Sequence, residues 1–198
     1  MGRPTLHDSD ALLDAAVRLF ARDGVRGLTV AAVAREAKAP SGSVYHRFPD
    51  RPSLLAAVWL RTVRRFHDAY VAEIGDGVTP ETAVAGAAWT VAWCREHLGE
   101  ALVLQAGATA FDAGAWPQTA AHRWEALQAE QAAAIGEFVR SVAAQSGTTS
   151  ADVAFAMFDL PLAVVRPHLI EGAVPPADAV DAAARMASAI LGCADPLP

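Results

Sequence analysis

Cysteine is nearly absent from this chain: Cys94 and Cys193 are the only two in 198 residues. That is too few for a disulfide framework, and a cytoplasmic location is expected. No unbroken apolar run approaches the roughly 20 residues that a membrane span needs, so no membrane partner is expected. No apolar segment of signal-peptide type follows Met1-Gly2-Arg3-Pro4, and secretion by that route is not expected. Clusters of β-branched residues are sparse. Catalytic patterns are missing as well: there is no H-E-x-x-H, no paired E-x-x-H, no G-x-S-x-G and no G-x-x-x-x-G-K-[ST]. His168 and Glu171 form a single H-x-x-E, which is not a di-metal set, and His46 lies near Ser43 without an acid to orient it. The chain is expected to be no enzyme and to carry no metal and no cofactor.

What is present points to helices. Apolar residues make up 53% and charged residues 19%, enough to bury a core and too little charge for wholesale disorder. Alanine dominates, which favours helix. The net charge is −6, but it is unevenly spread. Residues 1–66 hold eleven Arg or Lys against six Asp or Glu, whereas residues 67–198 hold five Arg against sixteen acids. A basic head on an acidic body suits a protein that touches nucleic acid through its N-terminal third.

Periodicity divides the head into short helices. Leu12, Leu13, Ala16, Val17, Leu19 and Phe20 recur at helical spacing, predicting a helix from Asp8 or Ser9 to about Asp23, with Gly24 as a left-handed cap. Thr29 is a plausible N-cap for a helix over Val30 to Ala37. Lys38-Ala39-Pro40 turns the chain, and Ser41 is expected to cap a third helix over Gly42 to Phe48. Asp50 is expected to cap a fourth, with Pro52 in its first turn, running to about Ile74. Further helices are expected near 80–98, 100–111, 116–146, 150–166 and 176–192, with Gly99 among the breaks and Pro161 kinking or ending the fourth of these.

Two short helices joined by a tight turn, over about residues 29–48, form a helix-turn-helix. On the second of them Val44 and Phe48 lie four apart and are expected to anchor it from behind. Gly42, Ser43 and His46 project the other way, flanked by Tyr45 and Arg47. Small residues at the start let a helix enter the major groove closely, while Tyr45 and His46 can donate to phosphate. Ser43 and Arg47 are the best candidates for reading bases.

The stretch Leu28-Thr29-Val30-Ala31-Ala32-Val33-Ala34-Arg35-Glu36-Ala37, followed by Ser41-Gly42-Ser43-Val44-Tyr45-His46-Arg47-Phe48, resembles the signature of TetR-family regulators. Gly24 and Arg51-Pro52-Ser53-Leu54-Leu55 extend the likeness, which covers about residues 8–66. It implies an all-α fold: a three-helix DNA-binding domain over 1–50, then a connecting helix with a ligand-binding and dimerisation domain over 51–198. It also implies that Thr29 touches the DNA backbone and that Ser41, Gly42, Ser43 and Val44 lie at or near the bases. Tyr45, His46 and Arg51 would bind phosphate, and Arg3 would reach the minor groove. Two positions depart from the pattern. Lys38 stands where the family has glycine, so it must adopt positive φ at a cost of order 1 kcal/mol, or Pro40 must reshape the turn. Arg51 stands where the family has lysine, keeping the charge but not the hydrogen-bond geometry.

For the body, the resemblance implies a homodimer through the last two long helices, assigned to 123–145 and 152–168, and a small-molecule effector site. Trp124, Leu127, Gln131, Ile135, Phe138 and Val142 trace one helix face; Val153, Met157, Leu160 and Val164 trace another. Each stripe reads equally as intramolecular core. Trp89, Trp93, Phe111, Trp116, Met157 and Phe158 are candidates to line a pocket for a largely apolar ligand, with His97, Gln105 or His122 to orient it. The same aromatics read also, and more simply, as core filling. The expected function is repression at an inverted-repeat operator, relieved by that ligand. The alternatives are an activator or co-repressor-dependent regulator, a helical-bundle enzyme, or an adaptor.

Overall fold

A computed structural model describes residues 7–75 and 77–193. Among them there is no strand. The helices are α1 (His7–Asp23), α2 (Val30–Glu36), α3 (Ser41–Arg47), α4 (Arg51–Ile74), α5 (Pro80–Glu96), α6 (Leu98–Ala110), α7 (Gln118–Ser146), α8 (Ser150–Ala154), α9 (Leu160–Ile170) and α10 (Asp178–Leu191). Short 3₁₀ turns lie at Val25–Gly27 and Ala113–Ala115, and a π turn at Phe155–Asp159 joins α8 to α9. Packing divides the chain into two compact units: the chain through Arg65 with Leu102–Ala126, and Phe66–Ala101 with the chain from Leu127 onward.

In the first unit, the helical stripe of α1 is buried as the spacing predicts, with Leu12, Ala16 and Leu19 at most 4% exposed. Leu54, Leu55 and Val58 of α4 are wholly enclosed. Burying each large aliphatic side chain contributes about 1.5–3 kcal/mol. An aromatic layer adds to this core. Phe111 has no exposure, lies 5.1 Å from Phe20 and 5.8 Å from Trp59 between ring centres, and Trp124 meets Trp59 edge-on at 5.6 Å. The indole Nε1 of Trp116 donates to the Phe111 carbonyl at 2.7 Å.

In the second unit, α5 and α10 pack through alanines: Ala83, Ala87, Ala183 and Ala187 are all wholly buried. Side chains this small let the helix backbones approach closely. Val153, Met157 and Leu160 are buried in the same core, so that stripe faces inward within the chain. The apolar residues left outside on this segment are Phe155, Leu162 and Ile170, the last 72% exposed. On α7 only Val139, Val142 and Ala143 are buried, and Ile135 is exposed.

Two local expectations are corrected. Gly99 does not break the chain: the break is at His97, in a non-helical conformation, and Gly99 lies in the first turn of α6, where its flexibility costs little. Gly107, at φ 77 and ψ 158, instead kinks α6 near its end. Pro161 does not end its helix, because the widened π turn just before it accommodates the missing N–H and the ring, and the helix continues to Ile170. The run Ser150–Ile170 is, by length and composition, a helix apolar enough to cross a membrane, with 39% of its most apolar window buried. Asp152, Asp159 and Arg166 interrupt it in sequence, which is why it is no unbroken apolar run.

Candidate nucleic-acid interface

The helix-turn-helix is built from local bonds. Thr29 is extended and its Oγ1 accepts from Ala32 N at 3.1 Å, the N-cap that the sequence predicts for α2. At the other end Lys38 N donates to Arg35 O at 3.1 Å and Ala39 N to Ala34 O at 2.9 Å, a Schellman closure. This closure requires Lys38 to be left-handed, and its φ is 53°. The turn therefore keeps the geometry that glycine would serve, and a lysine bears the strain. Gly24 also has positive φ as expected, 66°, but its ψ of −172° is extended rather than left-handed helical, a region open essentially to glycine alone.

α3 starts one residue earlier than expected. Its N-cap is Pro40, which offers no side-chain acceptor, and Ser41 is the first helical residue. Val44 and Phe48 are buried, at 0% and 7% exposure, against the rest of the unit. Ser41, Gly42, Tyr45 and His46 are exposed and Ser43 is half-buried, so the polar side of α3 faces outward. Two residues differ from expectation. A side chain enclosed as Val44 is reaches no base; it anchors the helix. Arg47 is half-buried and its Nη1 bonds Ser9 Oγ of α1, which turns it toward the head's own first helix.

Asp50 caps α4 as expected: its Oδ1 accepts from Ser53 N at 2.8 Å. Hydrogen bonds from Ser53, side chain and backbone, hold this carboxyl below the ordinary carboxylate range. Arg51 bonds within the head itself. Its guanidinium is half-buried and bonds two carbonyls of the α1–α2 connection, Leu28 O from Nε at 3.0 Å and Val25 O from Nη2 at 2.9 Å. Much of the head's positive charge also has internal acidic partners. Arg61 and Arg65 reach Asp14 at 2.5 and 3.4 Å, and Arg18 and Arg22 reach Glu36 at 3.4 Å. Arg26, Arg35 and Lys38 are exposed. Arg3 lies outside the described residues.

In the second unit Trp89 and Trp93 do share a cluster, 6.4 Å apart, with Phe158 and Met157 in the same core. Phe66 and Tyr70 of α4 complete it: Phe66 meets Trp93 edge-on at 4.9 Å, and Tyr70 meets Trp89 at 5.6 Å and Phe158 at 6.4 Å. The sequence reading missed Tyr70, although it lies four residues beyond Phe66 just as Trp93 lies four beyond Trp89. The Tyr70 hydroxyl is buried without a hydrogen-bonding protein partner, and burial pushes its pKa up to about 12. Burial likewise pushes the Cys94 thiol up to about 12. His97 lies against Trp93, ring centres 5.0 Å apart and planes tilted by 40°, with Nδ1 3.6 Å from Glu100 Oε2. Phe111 and Trp116 are buried in the first unit, which α6 enters at Leu102; Gln105 and His122 also belong to that unit.

Residues 12–58 match the family model described as bacterial regulatory proteins of the tetR family. No curated protein matches the sequence. Among solved structures, a TetR-like transcriptional regulator from Rhodococcus sp. RHA1 is similar at TM-score 0.65 and 21% identity, over 96% of this chain and 97% of that one. A Clostridium perfringens protein described as a putative fatty acid metabolism regulator is similar at 0.65 and 15%, over 92% and 97%. The multidrug binding protein EbrR, complexed with imidazole, is similar at 0.57 and 18%, over 98% and 93%. At such identities the likeness establishes the fold. The helix-turn-helix of this chain is thus similar to that of the tetR family of bacterial regulatory proteins over residues 12–58, and the whole chain has the fold of TetR-like regulators.

Proposed function

We propose that the protein is a ligand-released repressor that binds an inverted-repeat operator as a homodimer. Residues 1–50 would form the operator-binding portion, and 51–198 the connecting, sensing and dimerising portion. The observation that carries this reading is the outward face of α3. Ser41, Gly42 and Ser43 would approach the bases, Tyr45 and His46 would donate to phosphates, and the exposed Thr29 would touch the backbone at the start of α2. Tyr45, 49% exposed with Val44 enclosed behind it, favours this orientation. With Arg47 and Arg51 turned inward, few long side chains remain to read bases. Discrimination would then lean on DNA shape and on backbone positioning.

A single helix-turn-helix makes a small interface, and two about 34–36 Å apart engage successive major-groove faces. The exposed Phe155, Leu162 and Ile170, with Ile135 of α7, support a second copy of the chain as the partner of this apolar side. Leu162→Asp would then yield a monomer in sedimentation velocity. The effector would be largely apolar and aromatic, taken up by Trp89, Trp93, Met157 and Phe158 with Phe66 and Tyr70. EbrR, complexed with imidazole, is a precedent for a small molecule bound by this fold. Ligand would tilt α4, which runs unbroken from Arg51 to Ile74, and so lower operator affinity. For this the ligand must bind the DNA-incompetent state more tightly.

The test is fluorescence anisotropy with duplexes from around the coding gene at several salt concentrations. Binding that weakens steeply with salt, and that Tyr45→Phe combined with His46→Ala weakens further, is expected. Retention that ignores salt and both substitutions would refute the operator reading. Constant operator affinity in the presence of a saturating bound ligand would refute the release mechanism.

A further inference from the structure

We propose that Arg51 is a positioning residue, clamping the entry of the helix-turn-helix to the first turn of α4, and does not serve as a phosphate contact. The proposal rests on operator binding as read above. The two N–H groups it uses, on Nε and Nη2, lie along one edge of the planar guanidinium and point the same way. They meet Leu28 O at 3.0 Å and Val25 O at 2.9 Å. Val25 belongs to the 3₁₀ turn, and Leu28 ends it immediately before Thr29, the N-cap of α2. The first residue of α4 thus holds the segment that launches α2.

That segment is stiff enough to transmit a displacement. Gly27 N donates to Gly24 O at 3.1 Å, Leu28 N to Val25 O at 3.2 Å and Thr29 N to Gly27 O at 3.0 Å. A Cβ on Gly27 would stand 2.5 Å from Asp23 Cβ, so the turn sits tightly against the end of α1. The Leu28 side chain is wholly buried. Beyond it, α2 passes to α3 through the closed Schellman turn at Lys38, which leaves little slack before the recognition face. A lysine at position 51 keeps the charge, but its single ammonium cannot reproduce two parallel donors on a rigid fork. An arginine engaged along one edge with backbone carbonyls therefore sets the angle of the helix-turn-helix on α4.

The experiment compares the full-length wild type with Arg51→Lys and Arg51→Ala. The duplex is the one that wild type retains from around the coding gene, with an unrelated duplex as the non-specific reference, both across a salt series. Urea unfolding supplies the folded fraction, to which all affinities are referred. Both variants are expected to lose about tenfold or more in operator affinity, as loss of charge-assisted bonds implies. Both should keep the wild-type salt slope, and non-specific affinity should change little. The operator-to-non-specific ratio therefore falls, which a mere loss of stability would not produce. Arg51→Lys binding like wild type while Arg51→Ala loses a slope of about 1 would overturn the proposal in favour of a phosphate contact. Both variants binding like wild type would overturn it too. If Arg51→Ala is poorly folded, Arg51→Lys alone decides, since only the clamp predicts that it fails. Wild type that binds no duplex would overturn the operator reading and the clamp together, whereas wild-type binding matched by Arg51→Lys overturns the clamp alone.

Discussion

Replacing Lys38 by glycine is expected to stabilise the protein, although it removes a long side chain. Lys38 holds a φ of 53°, imposed by the two bonds that close α2. An L-residue with a Cβ pays about 1–2 kcal/mol in that region. Glycine avoids this cost but loses more freedom on folding, by about 0.5–1 kcal/mol. The net expectation is a gain of about 0.5–1 kcal/mol. For a chain of this length that corresponds to a melting temperature higher by about 1–4 °C. Lys38 is exposed, so little packing is lost with the side chain. Lys38→Ala isolates the effect, because alanine removes the same chain and charge but keeps the Cβ. It should match the wild type in stability, and Lys38→Val should fall below it. Urea unfolding followed by circular dichroism gives the three values. Any effect on operator affinity should be equal for the glycine and alanine variants, since both remove one charge. Lys38→Gly no more stable than Lys38→Ala would refute the claim that the turn is strained.

Other perturbations test other parts of the molecule. Tyr70→Phe deletes a buried hydroxyl that no protein acceptor meets, and stability should rise by about 1 kcal/mol; a loss of that size in urea unfolding would count against the reading. With its pKa near 12, Cys94 is almost wholly thiol at neutral pH, so a disulfide reagent should label the half-buried Cys193 first and Cys94 only on unfolding. Equal labelling rates in native protein would contradict this. The Asp50 carboxylate has a lowered folded pKa, so its capping contribution is present above the ordinary carboxylate range and is lost as pH falls through the lowered value. Asp50→Asn keeps a capping oxygen and should flatten that part of the acid limb of a stability-versus-pH curve. An unchanged acid limb would show that the cap does not titrate.

The features legible in the sequence are those decided within a few residues along the chain. Thr29 and Asp50 cap because a short oxygen-bearing side chain meets N–H groups two or three residues on. At Lys38 the sequence left two outcomes, a positive φ or a turn reshaped by Pro40, and the closure of α2 decided for the first. The outward face of α3 follows from a helical period and from two apolar residues four apart. Partners distant in sequence were decided only by tertiary structure. Nothing local distinguishes Phe111 from Trp89, yet the first lies in one compact unit and the second in another, the division falling within α6 at Ala101–Leu102. The stripe of Val153, Met157 and Leu160 suited a partner chain or a core equally well; packing within the second unit took it inside and left Phe155, Leu162 and Ile170 outside. Arg51 reads as a surface cation because charge is visible in a sequence. Its carbonyl partners are not, for every residue has a carbonyl, and only the folded connection from α1 to α2 brings those of Val25 and Leu28 to one edge of its guanidinium.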